Sequence, residues 1–242
     1  MSEFNISVEA GKTKVLHTAG KYCDRDIVVK AEKGVDYYDT FWDSYQLYGN
    51  RTNYDYGFSG NGWTDETFKP KYDITVKNGT YLFAYCLITD LVKSLNDCGV
   101  VLDLSQSTAS GYLVIGSSTM QTIPIVDARK RQQINYFIYS CSALRIVEKI
   151  ILKDDGSQQF NANSFGQLPA LEEIRFEGCI GKSLEIKGSP LLSTESVDSI
   201  ISCLKDLTGA TAQTLTLHAT VGANMTDEQK AAISTKNWTL VY

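Results

Sequence analysis

The sequence predicts an α/β solenoid: parallel strands along one side, turns or short helices along the other, and a cap at each end. Three observations predict it. Ile138, Cys141 and Leu144 are spaced three apart in IYSCSAL, and Phe165, Leu168 and Leu171 repeat that spacing in FGQLPAL. A short alternating or apolar run follows each copy, VEKIIL at 147–152 and EIRFEG at 173–178. Taking Leu102, Ile125, Ile150 and Ile174 as centres of successive runs gives a step of roughly 23–25 residues, too few to bury an apolar side alone, so neighbours must stack.

Residues 1–34 read as a small N-terminal β module. NISV, KTKVLH and DIVVKA are short alternating segments broken by Ala10-Gly11 and Ala19-Gly20, the pattern of strands between turns. So small a piece has little core of its own and is expected to dock on a neighbour or another subunit.

Residues 35–82 are expected to form an aromatic-rich N-terminal cap. Tyr38, Trp42 and Tyr45 share one helical face, and Gly49-Asn50 suits the helix stop. The segment that follows is loop-like and holds Tyr54, Tyr56 and Trp63 among Asn, Asp and Gly. Flat rings beside short polar side chains suit sugar binding, which makes Trp42, Tyr45, Tyr54, Tyr56 and Trp63 the candidate ligand-binding residues. The same rings suit a cover over the open end of the repeats, where aromatics bury much area per residue, and this reading is preferred.

Residues 83–190 carry the repeats. Phe83 and Cys86 begin a looser copy, followed by VVLDL at 100–104; IPIVD at 123–127 is a further run whose preceding copy is obscured. Residues 191–242 read as a helix–strand–helix–strand C-terminal cap. Val197, Ile200, Ile201, Leu204 and Leu207 follow helical spacing after a capping Ser193 or Thr194. QTLTLHA is a strand, Thr226–Gln229 a capping box, and NWTLVY the closing strand.

Composition narrows the function. Apolar residues at 43% and charged residues at 21% of 242 are those of a folded protein. A net charge of −5 argues against a nucleic-acid partner. The triplet Arg129-Lys130-Arg131 reads as a solvated turn. No run approaches the ~18 apolar residues of a membrane span, so no membrane insertion is expected. The N-terminal stretch lacks the cationic start and apolar core of a signal peptide. Cysteines at 23, 86, 98, 141, 179 and 203 form no C-x-x-C pair; most are expected to be reduced core residues. The two histidines, His17 and His218, have no ligand or nucleophile at useful spacing. KDDGSQQFNANS at 153–164 lacks the register of a calcium loop. No catalytic residue, metal or cofactor is therefore expected, and no enzyme.

The pattern F-x-x-C-x-x-L followed by a short strand, as in IYSCSAL and FGQLPAL, resembles the BspA-type (treponemal-type) leucine-rich repeat of bacterial surface proteins and phage proteins. EAGKTKVLHTAGKYCDRDIVVKAEKG resembles a module of tail-associated proteins of phages infecting Gram-positive gut bacteria. GNRTNYDYGFSGNGWTDETFKPKYD and the closing TDEQKAAI and KNWTL resemble the same group. The resemblance implies a leucine-rich-repeat-like fold and a non-catalytic virion protein of the phage tail tip or fibre, made in the host cytoplasm. It implies other tail proteins and further copies of the same chain as partners, tail-tip and fibre proteins being often trimers. Any host-facing ligand is expected to be a cell-surface polysaccharide. The alternative is a bacterial cell-surface adhesin or interaction module on the same repeats. Such a protein needs a leader and a wall anchor, and the sequence shows neither.

Overall fold

The computed structural model describes residues 13–17 and 26–30 (as backbone), 57–60, 63–70, 73–77 and 79–242. The first two segments form an antiparallel hairpin. Thr13–His17 (β1) pairs with Asp26–Lys30 (β2), with Thr13 opposite Lys30 and His17 opposite Asp26. These strands fall within KTKVLH and DIVVKA.

The rest is a mixed α/β structure of parallel sheets with few helices. Its strands, in chain order, begin with Ile74–Thr75 (β3), Phe83–Ala84 (β4), Leu102–Asp103 (β5) and Val114–Ile115 (β6). Thr122–Ile123 (β7), Val126–Asp127 (β8), Ile138–Tyr139 (β9) and Ile146–Ile151 (β10) follow. Phe165–Gly166 (β11), Glu173–Glu177 (β12), Leu184–Ile186 (β13), Gln213–Leu217 (β14) and Trp238–Val241 (β15) complete the set. One sheet has the order β11-β9-β6-β4, with Phe83, Val114, Ile138 and Phe165 in register. A second joins β12 to β10, and β10 to both β7 and β8, with Ile123, Val147 and Ile174 in register. β13-β14-β15 form a third, and β3-β5 a fourth. All of these pairs are parallel.

Two strands and the turn between them recur because the same side chains are buried each time. Ile138, Cys141 and Leu144 are fully buried, as are Phe165, Leu168 and Leu171. The obscured copy before IPIVD is Val114, Ser117 and Met120, and a further one is Ile186, Ser189 and Leu192; all six are buried. Ser117 replaces the expected Cys or Leu without leaving a polar group unmatched. Its Oγ donates to the Phe83 carbonyl at 3.0 Å and accepts from the Cys86 amide at 3.3 Å. Two residues after the strand start, the chain turns through left-handed backbone at Tyr85, Gly116, Ser140 and Gln167, with φ of 55°, 63°, 58° and 57°. The turns then close with Leu144 N–H to Cys141 C=O at 3.2 Å and Leu171 N–H to Leu168 C=O at 3.1 Å. Each fully buried leucine contributes about 1.5–3 kcal/mol, so every step carries its own share of one continuous core.

Several expectations differ from the structure. Segments centred on Leu102, Ile125, Ile150 and Ile174 do not form one ladder: Leu102 pairs with Ile74 in the separate β3-β5 sheet. Ile125 lies between β7 and β8 and is exposed, while its neighbour Val126 is the buried partner of Ile150. A register shift between Val147 and Ile150 then pairs Ile150 with Phe176 and leaves Ile174 to Val147. The first members of the triads, read as turns, are themselves strands of the β11-β9-β6-β4 sheet. Arg131 is not solvated. It is fully buried, unlike exposed Arg129 and Lys130.

Helices close the ends of the ladders. Leu91–Cys98 (α1) starts at Asp90, whose side chain accepts from the Lys93 amide, and stops at left-handed Gly99. Asp65 sits at the same helix start, accepting from the Thr89 amide at 2.9 Å and from the Thr89 hydroxyl. Thr194–Cys203 (α2) is capped by Ser193 as expected, but ends before Leu204 and Leu207. Leu204 instead bridges Ile180 in parallel, and the Lys205 amide donates to the Ile180 carbonyl at 2.8 Å. Ladder pairing thus overrides the apolar periodicity. Ala219–Asn224 (α3) and Asp227–Thr235 (α4) follow, the latter with the Thr226–Gln229 capping box. Trp238 is buried in β15, its indole N–H donating to the Lys205 carbonyl at 2.8 Å.

Candidate binding face

Of the residues singled out as ligand-binding, Trp42, Tyr45, Tyr54 and Tyr56 lie outside the described residues. Trp63 is half-buried. Its ring meets Phe58 edge-on at 5.4 Å between centroids and Phe68 at 6.4 Å, and Phe58 stacks in turn on Phe83 at 5.2 Å. Trp63 therefore packs against the core beside the edge strand β4.

A different set of rings comes together over the β11-β9-β6-β4 sheet. Tyr81, Tyr112 and Tyr136 each stand two residues before a strand start. Parallel pairing in register brings them side by side: Tyr81 stacks on Tyr112 at 4.3 Å and 14°, and Tyr112 on Tyr136 at 5.1 Å and 18°. The ladder fixes this separation, since adjacent strands lie ~4.8 Å apart. Tyr139 meets Tyr136 edge-on at 5.2 Å. Tyr85 belongs to the left-handed turn and is 57% exposed. Its ring fills the space beside Gly116, where a Cβ would lie 2.3 Å from Tyr85 Cε1. Tyr139 rests likewise against Gly166, with a Cβ there 3.0 Å from Tyr139 Cδ2. The sequence carries a signal for this group, a tyrosine at the same offset from Phe83, Val114 and Ile138, legible only once Val114 is recognised as a strand start.

The β12-β10 sheet presents the opposite chemistry. Arg145 binds Glu172 across the strands at 2.9 Å, and Lys149 binds Glu177 at 2.8 Å. The hydrogen bond from Arg145 holds the Glu172 carboxyl below its ordinary range, while Glu172 raises the guanidinium. Such exposed pairs add little stability.

Among the described residues no three His, Cys, Asp or Glu side chains gather as a metal site. His218 caps α3, its Nδ1 accepting from the Thr220 amide at 3.1 Å. Burial pushes the Cys141 thiol up to about 12 and raises Cys86 as well, which leaves both weakly nucleophilic. No family model, curated protein or solved structure matches this chain.

Proposed function

We propose that the chain is a non-catalytic binding scaffold: a short leucine-rich-repeat-like solenoid that acts as a virion protein of a phage tail tip or fibre. The observation that carries the scaffold reading is the repeated buried triad, Val114–Ser117–Met120, Ile138–Cys141–Leu144 and Phe165–Leu168–Leu171, on parallel strands in register. Units that bury their apolar side only against neighbours build extended rigid surfaces, and such surfaces serve binding. The phage assignment rests on the resemblance of residues 1–34, of the aromatic segment and of the closing helix and strand to tail-associated proteins. In this reading residues 1–34 attach the chain to its own copies and to other tail proteins. The outer surface is left to meet a host wall polysaccharide.

Two measurements test it. Particles induced from the strain carrying the gene, purified on a density gradient, should contain the protein at a fixed ratio to tail proteins. Removing residues 1–34 should give a chain that still folds and no longer enters particles. Recovery from the cell-wall fraction, with none in particles, would establish the alternative of a bacterial surface adhesin.

A further inference from the structure

Charge is partitioned between the two faces of the repeat region. The stretches 78–89, 104–126, 132–144 and 156–171 contain no Asp, Glu, Lys, Arg or His. They supply all four strands of the β11-β9-β6-β4 sheet and the turns on either side of each. The charged side chains of the same steps fall on the intervening stretches, among them Asp127, Arg129, Arg145, Lys149, Glu172 and Glu177. Five of the six tyrosines among the described residues lie on the uncharged stretches.

We infer that this uncharged tyrosine face is a binding site for a neutral, polyhydroxylated polymer, an uncharged glycan chain crossing the strands. The inference rests on the scaffold reading above. Its complement follows from the groups present. A polyanion or a polycation would find no charged side chain of these four stretches to hold it, although Lys130 and Lys153 reach them at Gln106 and Gln132, so electrostatic steering along the strands is weak. A protein partner generally needs a contiguous apolar centre, whereas the tyrosines are interspersed with Ser, Thr, Asn, Gln and Gly. Rings for the C–H faces of sugars, beside hydroxyls and amides for their hydroxyl groups, are what a neutral polyol requires.

The left-handed turn positions supply one track for such a chain. In successive steps they hold Tyr85, Gly116, Ser140 and Gln167: a ring 57% exposed, a bare backbone, a hydroxyl and an exposed amide. The Tyr85, Gly116 and Ser140 amides donate to the Ile115, Tyr139 and Gly166 carbonyls at 2.8, 3.0 and 3.0 Å, so the track has the pitch of the strands. Glycine at 116 leaves room for the Tyr85 ring, which is thereby held in place before a ligand arrives. Pre-ordering reduces the entropy lost on binding.

Affinity electrophoresis of the full-length protein through gels holding a neutral glucan, a neutral mannan or a teichoic acid tests this. Retardation by at least one neutral polymer and none by the teichoic acid is expected. Tyr85→Ala should weaken that retardation at least tenfold with an unchanged melting temperature, and Lys149→Ala on the charged face should leave it unaltered. Gln167→Ala, at a second exposed position, should weaken it several-fold and serves if Tyr85→Ala does not fold. Three results would overturn the inference: no retardation by either neutral polymer, equal retardation by the teichoic acid, or wild-type binding in both variants. Loss of self-association in Tyr85→Ala by sedimentation velocity would also overturn it, assigning the face to a second copy of the chain. Incorporation into particles is measured separately, so failure here leaves the scaffold reading to its own test.

Discussion

Arg131 donates from Nη1 to the Gly111 carbonyl at 3.0 Å, with no part of its side chain exposed. Its Nη2 reaches Ser107 Oγ at 2.9 Å and the Gly79 carbonyl at 3.4 Å, its guanidinium lies 5.1 Å from the Phe137 ring centre, and Nε has no partner. One cation thus ties three successive steps together, and desolvation lowers its pKa to about 10.

Removing the side chain should cost more than removing its charge. Arg131→Ala leaves a cavity and three abandoned acceptors, an expected loss of ~3 kcal/mol or more. Arg131→Met abandons the same acceptors but keeps the bulk and relieves the buried charge, and should lose clearly less than Arg131→Ala. Urea unfolding measures both, and equal losses would assign the effect to the lost hydrogen bonds alone. A cation whose folded pKa lies below its unfolded value gains stability only as pH rises above about 10. The difference between wild type and Arg131→Met should accordingly be flat from about pH 6 to 9.

Asp65 should give the opposite pH signature. Burial opposes its ionisation, but hydrogen bonds from the Thr89 hydroxyl and amide, the Asp90 amide and Ser94 outweigh it and hold the pKa below 3.8. The stability it provides is complete above the unfolded value and is lost as pH falls through the folded one. Asp65→Asn should lower stability by ~1–3 kcal/mol at pH 7 and flatten the acid limb of a melting-temperature profile below about pH 4. An acid limb as steep as that of wild type would mean Asp65 is not what joins the cap segment to α1.

Leu171→Asp is a direct test of the shared core. Leu171 closes the Phe165–Leu168–Leu171 turn and is fully buried. An unpaired carboxylate there should cost more than ~3 kcal/mol. The expected result in denaturant is a single transition at a much lower midpoint. An unchanged midpoint would mean that the inward face has been misplaced.

Thiol labelling should separate the cysteines by burial. Cys86 and Cys141 are fully buried with raised pKa, whereas Cys179 and Cys203 are partly exposed, although burial raises them too. Iodoacetamide on the native protein should modify the partly exposed Cys98, Cys179 and Cys203 and reach Cys86 and Cys141 only on unfolding. Early modification of Cys141 would show that the steps around Ser117 open readily.

How much of this was legible in the sequence depended on whether a position was decided locally. The Ile138 and Phe165 triads, the Ser193 cap, the Thr226 capping box and the closing strand rest on side chains whose roles hold wherever the chain goes. Asp90 and Gly99 carry the same kind of signal for α1. The Val114–Ser117–Met120 copy was hidden because Ser117 is buried by bonds to Phe83 and Cys86, more than thirty residues earlier. Arg131 looked solvated beside Arg129 and Lys130 because its acceptors, Gly79, Ser107 and Gly111, belong to other steps. The tyrosine face followed the same rule: its members are 24 to 31 residues apart and become neighbours only through parallel register.

The left-handed residue that follows each strand start also makes chain length a discrete variable. Phe83, Val114, Ile138 and Phe165 are in register although 31, 24 and 27 residues separate them. What the sheet fixes is the strand and its turn, and the remainder of a step can lengthen or shorten outside it. Joining Ile138 directly to Gly166 would excise one whole step and set the retained strand beside Val114 and Ile115. Copy number could then drift or be edited, each gain or loss altering the reach of the molecule by ~4.8 Å while the local chemistry of every surviving step is inherited intact.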